Sequence, residues 1–331
     1  MTENEFLLQD RLGVIRDTIK KYGEENFYQS FSGGKDSMAL YHLINMAVPD
    51  NRIPRVYINT GIEYNAMVEW VKELSKTDDR IIMIQPQKNI KESLKENGYP
   101  FKSKIFSDYY ASFLRNKEEV WKVMKEIEND PSLKDNYDYI HNLSHSTKWV
   151  IKEYYGLRER DGTMYRFGEG CPQILRYLFK EGNEMNISDK CCTEMKEKPL
   201  DRWRRENKKP IAIIGLMADE GGRRVNAKCT VFKEGRLKVF QPLAKVTKEW
   251  EDWFIQENNI RLCKLYYEPY NFVRSGCKGC PFNLKLEEDL ATIQKYFENE
   301  YKQCQFIWKP VYDEYRRLGY RLSSEEQMKL L

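Results

Sequence analysis

A short strand, a glycine-bearing loop and an apolar helix follow one another between Phe27 and Met46, and nothing else in the chain limits its fold as tightly. Phe27-Tyr28-Gln29-Ser30-Phe31 is apolar and aromatic enough for a buried strand, and Met38 to Met46, MALYHLINM, has the apolar recurrence of a helix. Ser32-Gly33-Gly34-Lys35-Asp36-Ser37 therefore forms a strand-to-helix turn. Gly33 and Gly34 permit backbone angles and close approach that a side chain would forbid, so successive N–H groups can converge on an anion at the positive end of the helix. Ser32 and Ser37 add hydroxyl donors, and Lys35 adds charge. A lone Gly-Gly would read as an ordinary turn capped by Asp36 or Ser37. Six ordered residues of this kind between strand and helix point instead to a phosphate loop. The GxxxxGK[ST] spacing of a Walker loop is absent.

Further short apolar runs, RVYIN (55–59), RIIMIQ (80–85) and IAIIGLM (211–217), alternate with helical segments such as MVEWVKELSK. The alternation predicts an α/β fold with a doubly wound, mainly parallel sheet of the five-stranded type and right-handed crossovers. Ligands bind at the carboxyl ends of such strands. SGGKDS falls at one such end and Asn59-Thr60-Gly61-Ile62-Glu63 at another. Residues 107–165 are charged, aromatic and helical in pattern, broken at Asp130-Pro131, and read as a helical insertion. Its charges suit a solvated cap; its Tyr, Trp, Lys and His content also suits a base-stacking surface. The expected organisation is 1–106 as the first part of a nucleotide-binding domain, 107–165 as the insertion, 166–283 as the remainder, and 284–331 as a helical tail.

The chain has 331 residues, and 55 basic against 51 acidic side chains leave a formal charge of +4, which permits an anionic partner without requiring one. The start is acidic and lacks a basic, then apolar, leader, and no run approaches a membrane span, so a soluble cytoplasmic protein is expected. Eight cysteines without a leader argue for metal or redox use of some of them rather than a disulfide scaffold. Cys263 and Cys304 sit in apolar or aromatic surroundings that suit small buried thiols. Cys191-Cys192 and Cys277-Lys278-Gly279-Cys280 form a CC pair and a distant CxxC. Four thiolates so arranged suit an iron–sulfur cluster or zinc, and the adjacent pair favours the separate iron corners of a cubane. A CxxC zinc knuckle beside a fortuitous CC, or a reactive dithiol, are the other readings.

SGGKDS resembles the SGGxDS loop of the adenine nucleotide alpha hydrolases, the PP-loop superfamily. CCTEMKEKPL is similar to the CCxxxKxxPL segment of the iron–sulfur-containing phosphoadenosine phosphosulfate (PAPS) and adenosine phosphosulfate (APS) reductases, and the CxxC to their second cysteine pair. IIGLMADEGGRR, QPLAKVTKEWEDWFI and YEPYNFVRSGCKGCPF resemble further segments of that family in the same order, from about Glu24 to about Asn283. The resemblance implies that Cys191, Cys192, Cys277 and Cys280 ligate a [4Fe–4S] cluster. It implies that Lys196 lies between cluster and nucleotide, and that Ser32, Gly33, Gly34, Asp36 and Ser37 cradle phosphate or sulfate. Arg223 and Arg224 stand where the family has a substrate-binding arginine, or are a pair of surface arginines. Asn59 and Glu63 are expected near ribose or adenine, and Lys102 and Lys104 are further anion contacts.

The reductases attack sulfur with a cysteine in an ECGxH-type tail, and this chain has no cysteine after Cys304 and no histidine after His145. The leading expectation is thus a related PP-loop reaction. ATP activates an acceptor oxygen as its adenylate, pyrophosphate leaves, and sulfur held at the cluster replaces the oxygen. Lys35 and basic neighbours would neutralise charge, and Asp36 would help place Mg²⁺. An APS or PAPS reductase and a non-catalytic nucleotide-binding cluster protein are the alternatives. The expected partners are an adenylyl nucleotide, a nucleic acid or small-molecule acceptor, a sulfur-donor protein such as a cysteine desulfurase, and a second copy in a homodimer. Cys171 and Cys229 stand open as sulfur carriers or buried thiols.

Overall fold

The computed structural model of the chain describes residues 1–157, 171–220 and 226–324. Its elements begin with α1 (Glu3–Tyr22), β1 (Phe27–Phe31), α2 (Lys35–Ala47), β2 (Arg55–Ile58), α3 (Asn65–Ser75) and β3 (Ile81–Ile84). Next come α4 (Ile90–Asn97), α5 (Lys104–Arg115), α6 (Lys117–Asn129), α7 (Tyr137–Asn142), α8 (His145–Tyr155) and the single turn α9 (Lys190–Cys192). The remainder is α10 (Lys198–Glu206), β4 (Ile211–Ile213), β5 (Thr230–Lys233), β6 (Arg236–Phe240), α11 (Lys248–Glu257), α12 (Leu286–Tyr296), α13 (Glu298–Ile307) and α14 (Lys309–Leu318). These fall into two compact units, Met1–Asn89 with Glu194–Lys278, and Ile90–Thr193 with Gly279–Leu331.

The first unit is built on a sheet of order β3-β2-β1-β4-β6-β5. All neighbours are parallel except β5 and β6. From β1 the chain runs outward through β2 to β3 and then crosses to β4 on the other side of β1, so the topological switch lies between β1 and β4, where a doubly wound sheet opens its ligand crevice. Registers Gln29↔Arg55 and Gln29↔Ile213 fix β1 between its neighbours. β1 is buried along nearly its whole length, and α2 turns Met38, Ala39, Leu40, Leu43, Ile44 and Ala47 inward at helical spacing. Thr2 and Glu5 close a capping box at the start of α1: Glu5 N donates to Thr2 Oγ1 at 3.2 Å, and Thr2 N to Glu5 Oε2 at 2.7 Å. On the face covered by α10, Trp203 stands edge-on to Tyr28 at 5.7 Å and packs with Val56 and Ala212.

Two features refine the sequence reading. Among the described residues the mainly parallel sheet has six strands, with β5 and β6 forming a hairpin that apolar runs did not reveal. Lys233 pairs with Arg236 across Glu234 (φ 53°) and Gly235 (φ 70°), a two-residue turn whose positive angles suit the twist of a hairpin. The strand foreseen over 211–217 regularly pairs only as Ile211–Ile213.

The second unit is helical around aromatic rings. Phe101, Phe106, Tyr110, Phe113, Trp149 and Phe179 are buried. Tyr110 Oη donates to Leu178 O at 2.8 Å and Trp121 Nε1 to Phe179 O at 2.8 Å, whereas the buried Trp149 Nε1 has no hydrogen-bond partner among the described residues. The helices expected within 107–165 all lie in this unit, together with α12, α13 and α14. Among the described residues no helix is long and apolar enough to cross a membrane.

Candidate functional site

The SGGKDS loop lies wholly in the first unit, between the end of β1 and the start of α2. Gly33 has φ +70°, the left-handed region, and a Cβ there would come within 2.7 Å of Val71 Cγ2 and 2.9 Å of Met67 Sδ. Gly34 is the N-cap of α2 (φ −75°, ψ 171°), and a Cβ on it would meet Ser275 Oγ at 2.8 Å and Tyr266 Oη at 3.0 Å. Only glycine fits either place, the first for backbone angle and space, the second for space alone. The two serines brace the loop. Ser37 Oγ donates to Gly34 O at 3.0 Å and accepts from Ser32 N at 3.3 Å. Ser32 Oγ donates to Ser37 Oγ at 3.0 Å and accepts from Gly34 N at 3.2 Å. The next N–H, that of Lys35, donates to Tyr266 Oη at 3.3 Å. After β4, Gly215 passes so close to Asp36 that a Cβ would stand 2.8 Å from its carbonyl oxygen.

Charge around the loop is concentrated on α2 and α11. The Lys35 ammonium pairs with Asp252 and lies 3.6 Å from Glu251 Oε2. Burial draws its pKa down, but those carboxylates outweigh burial and leave it raised. Glu251 is 2% exposed and meets Asp36. Burial first, and then the Asp36 charge, push its carboxyl well above the usual carboxylate range, against the lowering effect of Lys35. Glu251 Oε1 has no hydrogen-bond donor opposite it. Two carboxylates offer each other none, so one of the two acids carries a proton when they hydrogen-bond.

Past β2, Glu63 is 7% exposed and locked within its own turn, accepting from Thr60 N and Thr60 Oγ1, each at 2.8 Å. Lys196 Nζ lies 3.7 Å from Glu63 Oε1. Asn59 Oδ1 accepts from Gly61 N at 3.1 Å. Lys278, 2% exposed, donates its backbone N–H to Ile62 O at 2.8 Å. The structure thus assembles Ser32 to Ser37, Asn59, Glu63 and Lys196 in one unit at the carboxyl ends of β1 and β2. Lys102 and Lys104 belong to the other unit, where Lys102 Nζ lies 5.4 Å from the centre of the Phe106 ring. Arg223 and Arg224 lie outside the described residues.

Sequence reasoning gave no role to Glu251, Asp252, Tyr266, Ser275 or Thr60. KEWEDWFI contains Glu251 and Asp252 and YEPYNFVRSG contains Ser275, while Tyr266 lies one residue before the second segment. Nothing local marks the single side chain that turns inward.

The eight cysteines separate by burial. Cys171 is 2% exposed and its thiol is pushed up to about 12 by burial. Burial also raises Cys229 and Cys263, and Cys304 is buried within α13. Of the four expected ligands, Cys277 belongs to the first unit, and Cys191, Cys192 and Cys280 to the second. None of the four is in a disulfide; Cys191 is buried and the others are half-buried. As a donor set, four sulfurs suit a thiolate-bound cluster. Among the described residues, however, no three His, Cys, Asp or Glu side chains are gathered as a metal site.

Residues 26–140 and 147–283 match the family model described as phosphoadenosine phosphosulfate reductase domain. An uncharacterized protein from Methanocaldococcus jannaschii, MJ0973, is 36% identical over 90 residues, which cover 25% of this chain and 21% of that relative. The matched part thus spans about a fifth of that relative's length. Among solved structures, a PAPS reductase from Candida auris in complex with phosphate aligns with a TM-score of 0.39 at 11% identity, over 80% of this chain and 91% of that one. An NH3-dependent NAD synthetase from Campylobacter jejuni aligns with a TM-score of 0.36 at 10% identity, over 97% and 96%. The U34-tRNA thiolase NcsA from Methanococcus maripaludis, with its [4Fe-4S] cluster, gives 0.33 at 13%, over 93% and 80%. Likeness at this level assigns no residue a role.

Proposed function

Since the chain belongs to the phosphoadenosine phosphosulfate reductase domain family, we propose that it binds ATP or a related adenylyl nucleotide and uses it for sulfur transfer. The observation that carries this reading is the loop itself, in which only glycine fits at Gly33 and Gly34 and the hydroxyls of Ser32 and Ser37 brace the backbone at the start of α2. Such a cradle holds the phosphoryl groups of a nucleotide and, in an adenylating reaction, the departing pyrophosphate.

An acceptor oxygen attacks the alpha phosphorus, the bond from alpha phosphorus to the bridging oxygen breaks, and pyrophosphate leaves with the electron pair. A sulfide-level sulfur then displaces AMP from the adenylated acceptor. SGGKDS orients the phosphates, and Lys196, near Glu63, supplies positive charge beside the turn that follows β2. Asp36 would hold Mg²⁺. Cys191, Cys192, Cys277 and Cys280 would hold a [4Fe–4S] cluster, which when bound offers a place for the sulfur. The acceptor is a nucleic acid or a small molecule, and the sulfur comes from a donor such as a cysteine desulfurase. Cys304 supports this reading over sulfonucleotide reduction: at 1% exposed it is sealed inside a helix, whereas a reductase nucleophile must reach its substrate.

The test is anaerobic protein incubated in parallel with ATP, APS and PAPS, scoring pyrophosphate, AMP and sulfite, together with iron content. The expected result is ATP cleavage between the alpha and beta phosphates in the presence of acceptor, about four irons per chain, and no sulfite. Thioredoxin-dependent sulfite that disappears in Cys304→Ser would restore the reductase.

A further inference from the structure

Tyr266 and Ser275 share a hydroxyl–hydroxyl hydrogen bond directly over the phosphate loop. Tyr266 Oη takes the N–H of Lys35, and a Cβ placed on Gly34 would run into both hydroxyls, Ser275 Oγ at 2.8 Å and Tyr266 Oη at 3.0 Å. The space that glycine leaves open on this side of the loop is therefore bounded by two hydroxyl groups. All of these residues belong to the first unit.

We propose that Tyr266 and Ser275 complete the anion cradle, donating their hydroxyl hydrogens to an oxygen of the phosphoryl group seated on SGGKDS. The inference rests on the nucleotide reading above and extends it from the loop to a second segment of chain. A hydroxyl both donates and accepts and turns freely about its C–O bond. Without an anion, Tyr266 Oη accepts from Lys35 N and shares a hydrogen with Ser275. With an anion, the Lys35 N–H is released to a phosphoryl oxygen and both hydroxyls swing to donate to it. The exchange leaves the loop's donors satisfied in either state, and no buried N–H is stranded. Burial raises the Tyr266 phenol to about 12, so it keeps its hydrogen at neutral pH. Lys35 does not compete for this place, because its ammonium is held by Asp252 and Glu251.

The experiment is calorimetric titration of the full chain with inorganic pyrophosphate and, separately, with adenosine, which has no phosphoryl group. The variants are Tyr266→Phe, Ser275→Ala and Ser275→Thr. The expected result is a five- to tenfold loss of pyrophosphate affinity in Tyr266→Phe and in Ser275→Ala, near-native affinity in Ser275→Thr, and unchanged adenosine affinity throughout. Wild-type binding of pyrophosphate that neither hydroxyl deletion weakens overturns this inference and leaves the nucleotide reading standing. Parallel losses for adenosine and pyrophosphate also overturn it, since they mark a structural role. A wild-type chain that binds neither pyrophosphate nor ATP brings down the nucleotide reading and this inference together.

Discussion

The two units put their buried polar groups to different ends. In the first, Ser37, Thr60, Glu63 and Glu251 are buried around the carboxyl ends of the strands and bind one another, the loop backbone or Lys35. In the second, the buried Ser107 hydroxyl settles local backbone, donating to Phe101 O at 2.8 Å and accepting from Phe101 N at 3.0 Å, while aromatic rings fill the space. Polar groups that serve chain geometry can be judged by stability alone. Those gathered around a loop also hold charge and donors in readiness, which costs stability without adding to packing.

The sharpest test of this contrast is a hole in the second unit. Phe179 is fully buried against Phe106, Tyr110, Phe113 and Trp149, so Phe179→Ala should lose about 3–5 kcal/mol. Denaturant unfolding reads the loss, and pyrophosphate affinity at a temperature where the chain is folded should not change. Affinity that falls together with stability would break the comparison. Next comes Gly33→Val, which forces a branched side chain into φ +70° and against Val71. It should cost only about 2 kcal/mol of stability. Pyrophosphate affinity should nevertheless drop by at least about 100-fold, or ~2.7 kcal/mol. A variant that is destabilised yet binds normally would place the anion elsewhere.

The smallest effect concerns Glu251. Its folded-state pKa is raised, so the folded protein holds a proton that the unfolded chain releases from the ordinary carboxylate range upward. Its contribution to stability is therefore fully present at low pH and declines as pH rises through that range towards the raised value. The slope is at most about 1.4 kcal/mol per pH unit for one proton. Glu251→Gln, which cannot ionise, should flatten this part of the profile measured by chemical denaturation between mildly acidic and neutral pH. An unchanged slope would mean that the acid pair does not hold the proton.

What the sequence disclosed follows from how local each signal is. β1 from Phe27 to Phe31, the loop and α2 were legible because the strand, the glycines and the helix period adjoin one another. The β5–β6 hairpin was hidden because β5 is exposed along most of its length and carries no apolar face to read. Lys35 shows the limit at the site. Its position in SGGKDS suggested a phosphate contact, but its direction is set by Glu251 and Asp252, more than 200 residues away in the chain. Tyr266 and Ser275 were hidden for the same reason. Their proximity to Gly34 exists only once β1 and the segment after α11 are folded together.

The outermost strand, β5, has a consequence for the protein in solution. Among the described residues it pairs with β6 alone, and Val231 and Phe232 are 39% and 52% exposed. A bare edge with adjacent apolar side chains is a template on which another copy can lay a strand, the first step of aggregation. The register shift at Val231/Phe232 bends that template, and Lys233 and Arg236 set like charges beside it. Charge is the guard that salt removes. Concentrated protein should therefore stay dispersed in dilute buffer and turn cloudy as ionic strength rises, the reverse of a molecule that salt keeps in solution.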